Sequence, residues 1–433
     1  MPAGGGLLQL VATGKEDIFL FGNPQKTFFK KIFMRHTNFA IESMAMYFDG
    51  TPNFGQRVTC VVPRLADLLG QVYIDVVLPR LTLTNGTPVS YVNSIGHALI
   101  QEVSLEIGEQ EIDRQTGEFM EVWTQLTTSA SQRDALNAMI GRNDGYSVPN
   151  FIPGTASGGL RLHIPLRFFF CQEYGVNLPL LALQFHPVRI NLKLAPLQSL
   201  WWSPLLLTDT TNTLQVNNTS ITSMMLWGDY VYLDVEERRR FVSAPQEYLI
   251  QQIQYTPPIG ITANQTTATI QTDFNHPVRE FIFMLQRDFM SQVHEPFNYS
   301  NLAVGEQLNP ALIPSLQDGQ VRTDLLGDAV LQLDGYDRFS RRNAFYFRIV
   351  QPYKYHTSTP IDSFIYNYCF AVQPEDLAPS GSLNASRVDT IIWQMNMNPI
   401  LTTTRGNCHA RIYATNHNVL RVVEGYGGVL FTI

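Results

Sequence analysis

Four stretches of this chain occur twice in the same order, and that repetition constrains the fold more than any other feature. Residues 103–107 run through Gly108 to Asp113-Arg114, and residues 330–333 run through Gly335 to Asp337-Arg338. Residues 164–170 match 364–370, residues 183–192 match 383–392, and residues 231–234 match 412–415. The separations are 227, 200, 200 and 181 residues, a drift that loop insertions and deletions produce in a duplicated strand set. Two similar β units follow.

The repeated stretches read as strands. Residues 72–78, 103–107, 188–194 and 230–235 alternate or run β-branched and aromatic between turn residues. Gly (29) and Pro (25) are spread along the chain, which suits many tight turns and disfavours long alternating helices. Two helices are predicted in an insertion between strands, residues 119–126 and residues 135–140 behind a Ser131–Asp134 capping box with Gly141 as the stop, and residues 25–34 are a candidate for one or two amphipathic turns after Asn23-Pro24. A half of roughly 200 residues with about eight strands and long connections fits a jelly roll better than a shorter immunoglobulin sandwich. The expected fold is all-β, two consecutive eight-stranded jelly rolls with short helices in the loops. Charges and Pro245 interrupt the strand pattern between the halves, giving an N-terminal arm at 1–24, a first jelly roll at 25–241 and a second at 242–433. The run Arg238-Arg239-Arg240 there reads as a solvated or acid-paired face.

Composition narrows function. Only 15% of residues are charged while 45% are hydrophobic, which excludes a disordered chain and points to surface covered by partner subunits. A net charge of −7 without a long basic block argues against direct nucleic-acid contact. The N-terminus lacks a cationic signal-peptide region and no apolar run reaches the ~18 residues of a membrane span; a cytosolic chain is expected. Cys60, Cys171, Cys369 and Cys408 show no metal-type spacing and read as buried free thiols. The nine histidines contain no His-x-His pair of the kind a cupin metal site uses, Gly14-Lys15 is no phosphate loop, and no nucleophile stands in a recognisable elbow. No catalytic residue, metal site or cofactor is predicted.

Candidate contact residues remain. Trp201, Trp202, Leu205 and Leu206 form an apolar cluster that reads either as core or as surface buried between subunits. Asn-x-Ser/Thr sequons make Asn218, Asn264, Asn298 and Asn384 the candidates for glycosylation, although a chain without a signal peptide does not meet the secretory machinery.

The opening Gly4-Gly-Gly-Leu-Leu-Gln-Leu-Val-Ala-Thr-Gly14, then Gly22-Asn-Pro-Gln25, Thr27-Phe-Phe-Lys30 and Arg35-His-Thr-Asn-Phe-Ala-Ile-Glu42, resembles the N-terminus of major capsid proteins of nucleocytoplasmic large DNA viruses, those of algal-virus type above all. The likeness continues through Leu178-Pro-Leu-Leu-Ala-Leu-Gln-Phe-His186, Asp229-Tyr-Val-Tyr-Leu-Asp234, Asn275-His-Pro277, Leu333-Asp-Gly-Tyr-Asp-Arg-Phe339, Val350-Gln-Pro-Tyr353 and Asn416-His-Asn-Val-Leu-Arg421. It implies a double jelly-roll subunit that forms a homotrimer, a pseudo-hexagonal capsomer that packs against neighbouring capsomers in an icosahedral shell. It also implies an arm whose Leu7, Leu8, Phe19 and Phe21 meet minor capsid proteins beneath the shell, and a place in the virion after assembly in the host cytoplasm. The alternatives are a minor or paralogous capsid protein of the same fold and a carbohydrate-binding attachment module.

Overall fold

The computed structural model describes residues 4–82, 89–143, 159–203, 206, 216–217, 220–303, 322–398 and 406–432. The chain divides into two units, Met1–Asn38 and Phe39–Ile433. The first holds helices α1 (Gly5–Val11) and α2 (Ile18–Phe21). Residues 25–34, expected to be helical, contain no helix. Ten residues interrupted by Lys30-Lys31 cannot hold a helix without a packing face, and Phe28, Phe29, Ile32 and Phe33 are all exposed. Residues 25–38 carry no strand either.

In the second unit the chain runs through β1 (Phe39–Met46), β2 (Arg57–Val61), β3 (Leu68–Leu78), β4 (Ser90–Tyr91), β5 (Ile100–Ile107), β6 (Gln110–Gln115), β7 (Leu160–Pro165), β8 (Val188–Leu194), β9 (Trp201–Trp202) and β10 (Ser223–Leu233). It continues through β11 (Gln246–Tyr255), β12 (Ile259–Ile261), β13 (Thr267–Thr272), β14 (Pro277–Arg287), β15 (Leu326–Leu333), β16 (Tyr336–Asp337), β17 (Arg342–Asn343), β18 (Tyr366–Cys369), β19 (Leu383–Asn384), β20 (Ile391–Met397), β21 (Cys408–Val423) and β22 (Tyr426–Val429).

Two antiparallel sheets ordered β1-β10-β3-β7 and β2-β8-β5-β6 enclose the first core, and sheets built on β11-β21-β14-β18 and β13-β20-β15-β16 enclose the second. Among the described residues, leaving out the short side strands, each half has eight strands in the same spatial order: first-eighth-third-sixth opposite second-seventh-fourth-fifth. That is a jelly roll twice over. All four sequence echoes fall on equivalent places: the hairpins β5–β6 and β15–β16, the strands β7 and β18, the approaches to β8 and β20, and the long strands β10 and β21.

The equivalent hairpins even turn alike. Gly108 and Glu109 (φ 57° and 72°) join β5 to β6, and Asp334 and Gly335 (φ 49° and 82°) join β15 to β16. Two residues at positive φ make the turn whose twist matches paired strands, and one glycine in each pair relieves the strain. Strands β8 and β20 alternate between buried positions and half-buried or exposed ones, as strands with one face in a core must. By contrast β14 is buried from Val278 to Arg287 on both faces, because its second face meets the other half of the molecule.

Candidate functional site

The seam between the halves is built by helices inserted into the first jelly roll. These are α3 (Ile95–Leu99), α4 (Gly117–Thr127) and α5 (Ala130–Ile140), the last closed by Gly141 in the left-handed conformation (φ 70°). Thr116 caps α4, its hydroxyl accepting from the Phe119 N–H at 3.2 Å. Phe119, Val122, Trp123 and Leu126 recur at helical spacing along one face. That face packs on Ile282 and Met284 of β14, on Tyr413 of β21, and on Tyr299, Phe364 and Ile365. Polar bonds reinforce the apolar stripe: the Tyr413 hydroxyl lies 2.8 Å from Thr116 Oγ1, it donates to Glu118 Oε2 at 3.0 Å, and Arg411 pairs with the same carboxylate. The C-terminal hairpin β21–β22 closes the other end, where Val429 N donates to Gln110 Oε1 at 3.2 Å and His186 Nδ1 lies 2.9 Å from Gly427 O.

The opposite side of α4 carries a buried charge network. Glu121 accepts from Ser94 Oγ (3.1 Å) and Gln125 Nε2 (2.7 Å), lies 2.7 Å from His97 Nδ1, and pairs with Arg142. Burial pushes its pKa up, but Arg142 and His97 outweigh that and hold it at about 2. A carboxylate this saturated fixes α4 against α3 and leaves no proton to exchange near neutrality. The cleft beside it, lined by Asn93, Trp202, His294 and Tyr299 among others, has a cavity volume of about 80 Å³, well below the roughly 300–1,000 Å³ of small-molecule sites.

Asp113 is a second buried carboxylate at the seam, accepting from Ile253 N (3.1 Å) and Gln115 Nε2 (2.7 Å). No cation faces it among these bonds, and burial raises its pKa to about 7. The folded chain therefore holds this proton where the unfolded chain has released it. Its stability contribution is full below about pH 4 and is lost as pH rises through 7, at up to about 1.4 kcal/mol per pH unit. His417, whose pKa burial lowers to about 4, acts with the opposite sign over part of that window. The expected result is therefore a difference: Asp113→Asn gains melting temperature relative to the parent as pH rises from 5 to 8, and a constant difference across that range contradicts it.

The sequence-derived contact residues fall in different places. Trp201 and Trp202 are buried in the chain's own first core, paired through β9 with β4, and Trp201 stacks edge-on against His294 at 5.0 Å. Their burial between subunits is thus corrected: an intrachain hairpin and the loop bearing His294 already cover them. Leu206 is half-buried against the same core, and Leu205 lies outside the described residues. Leu7, Leu8, Phe19 and Phe21 are all exposed. Asn264 and Asn384 are exposed, and Asn218 lies outside the described residues. Asn298 is buried and spends its amide on Glu295 Oε2 (2.6 Å) and Leu302 O (2.9 Å), so it cannot accept a glycan in the folded chain. Arg238 pairs with Asp67 at 2.8 Å and Arg239 with Glu236 at 3.3 Å, the acid-paired face the sequence suggested, on α6 (Val235–Ser243). All four cysteines are free thiols. The seam itself was visible in sequence only as the apolar spacing on α4. Its partners on β14 and β21 lie more than 150 residues away.

The family described as "Major capsid protein N-terminus" matches residues 27–234, and "Large eukaryotic DNA virus major capsid protein" matches residues 237–428. The major capsid protein of Phaeocystis pouchetii virus is 34% identical over 99% of this chain and 99% of its own length. The chain belongs to the major capsid proteins of large eukaryotic DNA viruses. The capsid protein of Paramecium bursaria Chlorella virus 1 is 32% identical over 99% of both chains. The crystal structure of VP54 from PBCV-1 superposes with a TM-score of 0.75 at 28% identity, covering 94% of this chain and all of that one. The Faustovirus major capsid protein, at 10% identity and a TM-score of 0.72 over 95% of this chain and 94% of its own, shares the fold. As a capsid protein of a large DNA virus, this chain is a component of the virion shell. Among its described residues no helix is long and apolar enough to cross a membrane.

Proposed function

We propose that three copies of this capsid protein form a pseudo-hexagonal capsomer that tiles the icosahedral shell. The observation that carries the reading is the identical strand order of the two halves, held side by side by the α4 seam. Three copies around a three-fold axis then present six similar barrels, so one protein fills a hexagonal lattice with nearly equivalent edges. The rigid seam matters because the angle between barrels sets the outline of the tile. A net charge of −7 suits a shell that meets neighbours rather than DNA. Synthesis and assembly take place in the host cytoplasm.

The arm is the second contact element. Leu7, Leu8, Phe19 and Phe21 expose most of their surface, more apolar area than a solvated segment keeps without a partner. Minor capsid proteins or neighbouring capsomers at the inner face are the proposed cover.

Light-scattering mass on the purified chain tests the capsomer. A species near 147 kDa, about three times the 49.0 kDa chain, with a hexagonal outline in images is the expected result; a stable 49.0 kDa monomer contradicts it. Deleting residues 1–22 is expected to leave that trimer intact and to deplete minor proteins from assembled shells. Shells of normal curvature and full internal-protein content would remove the arm's role.

A further inference from the structure

In the second jelly roll, residues far apart in sequence bring a glutamate, a histidine and a cysteine together in the interior. Glu280 on β14 stands opposite Cys369 on β18 in the strand register, next to a bulge between Val278 and Glu280. His356 arrives from the end of the helical turn Gln351–Tyr355. Its Nε2 lies 2.9 Å from Glu280 Oε2 and 3.9 Å from Cys369 Sγ, and the thiol lies 3.6 Å from the same carboxylate oxygen. The side chains of Glu280 and His356 have no exposed surface, and Cys369 is buried.

Three chemistries could use this set. A cysteine nucleophile with a histidine base needs a path for substrate and an activated thiolate. Here the cluster is enclosed, with the Trp123 ring edge-on to His356 at 6.3 Å. A plain histidine–carboxylate pair would need neither the sulfur nor the third donor. The remaining chemistry is metal binding. We propose that Glu280, His356 and Cys369 bind a divalent transition-metal ion of the zinc class.

The distances admit it with shifts of a few tenths of an ångström. Zinc with Zn–S near 2.3 Å and Zn–N or Zn–O near 2.0–2.1 Å places tetrahedral donors roughly 3.3–3.6 Å apart, and the three edges here are 2.9, 3.6 and 3.9 Å. A point about 2 Å from all three donor atoms therefore exists between them. The outer shell fits as well. His356 Nδ1 lies 3.0 Å from Glu375 Oε1, the carboxylate–imidazole pairing that orients a metal-bound histidine. Asn367, fully buried on the same strand as Cys369, sets its amide nitrogen 3.5 Å from the sulfur while its Oδ1 has no hydrogen-bond partner among the described residues. A half-turn of that amide would set oxygen in place of nitrogen beside the sulfur, which makes Asn367 the candidate for a fourth donor. On binding, the thiol and imidazolium protons leave to solvent, and the carboxylate and thiolate balance the ion's two charges. Arg279, buried in the bulge, is held by the Asp376 carbonyl at 3.1 Å.

The site ties the 351–376 segment to the sheet beside α4, where Ser358 N donates to Leu126 O and Arg133 donates to Ser358 Oγ. The ion is thus a structural staple for the seam between the jelly rolls. The test uses the full chain, expressed in zinc-supplemented medium and dialysed against metal-free buffer. Elemental analysis is expected to give about one zinc per chain, and cobalt loading to give thiolate-to-cobalt charge-transfer absorption. Cys369→Ser and His356→Ala are expected to lose the metal, and Cys171→Ser to keep it. Glu375→Gln is expected to weaken zinc affinity roughly 10–100-fold in a chelator competition. Folded parent chain without zinc, or a cobalt spectrum lacking the thiolate band, overturns the proposal even if a variant fails to fold. Equal zinc in the parent and in a folded Cys369→Ser also overturns it.

Discussion

Trp393→Ala is expected to destabilise the second jelly roll by about 3–5 kcal/mol, enough to lower its melting temperature by on the order of 10 °C. The indole is fully buried and central. Its ring centre lies 4.8 Å from that of Phe283, 6.0 Å from Phe281 and 6.1 Å from Phe347. It stands on β20 between Ile270 of β13 and Leu331 of β15, so both neighbouring strands lose a cross-strand partner at once. The indole N–H has no hydrogen-bond partner among the described residues, and the loss is therefore almost wholly of packing. Trp393→Phe, which keeps a ring in the cluster, is expected to recover part of it. Calorimetry of the two variants decides the matter: a fall of under about 3 °C for the alanine change would mean the cluster can collapse onto the cavity.

Trp393 also shows where sequence reading succeeds and stops. Strand and turn grammar is local: period-two alternation and a glycine at a left-handed turn position are written within ten residues, so the duplicated hairpins at 103–113 and 330–337 could be matched directly. The order of strands within each sheet is not local, yet duplication made it legible, because the same eight-strand pattern had to close a core twice. Burial against another element left no such mark. Trp201 and Trp202 read equally as core or as surface buried between subunits because the loop carrying His294, which covers Trp201, lies 93 residues on. Asn298 matched a three-residue glycosylation pattern, while its burial comes from Glu295 and Leu302 folding around it. Isolated cysteines and scattered histidines gave no metal-type spacing, yet Glu280, His356 and Cys369 meet because β14 and β18 are neighbours in the sheet. Spacing rules find ligands on one hairpin or helix and miss those assembled across strands.

Gly117→Ala is expected to cost on the order of 3 kcal/mol or more by overpacking, and to do so through the seam. A methyl group at this first residue of α4 would stand far inside van der Waals contact of the carbonyl oxygens of His97 and Ile100. Both are backbone atoms, at the end of α3 and the start of β5, so no side-chain rotation relieves the clash. The helix must move instead, and with it move Glu118, Phe119, Glu121, Val122 and Trp123, which hold β14 and Arg411 and, through the Glu121 carboxylate, His97 and Arg142. Gly260→Ala is the control: no atom lies within 4 Å of its added methyl, and a change within about 0.5 kcal/mol is expected. Two readouts separate the consequences for Gly117→Ala. Melting temperature reports the strain, and limited proteolysis across α6 reports whether the halves have parted. If the angle between barrels sets the outline of the capsomer, the variant loses trimer before it loses either core. A chain that melts early yet assembles normal trimers would instead show that contacts between subunits, rather than the α4 seam, fix that angle.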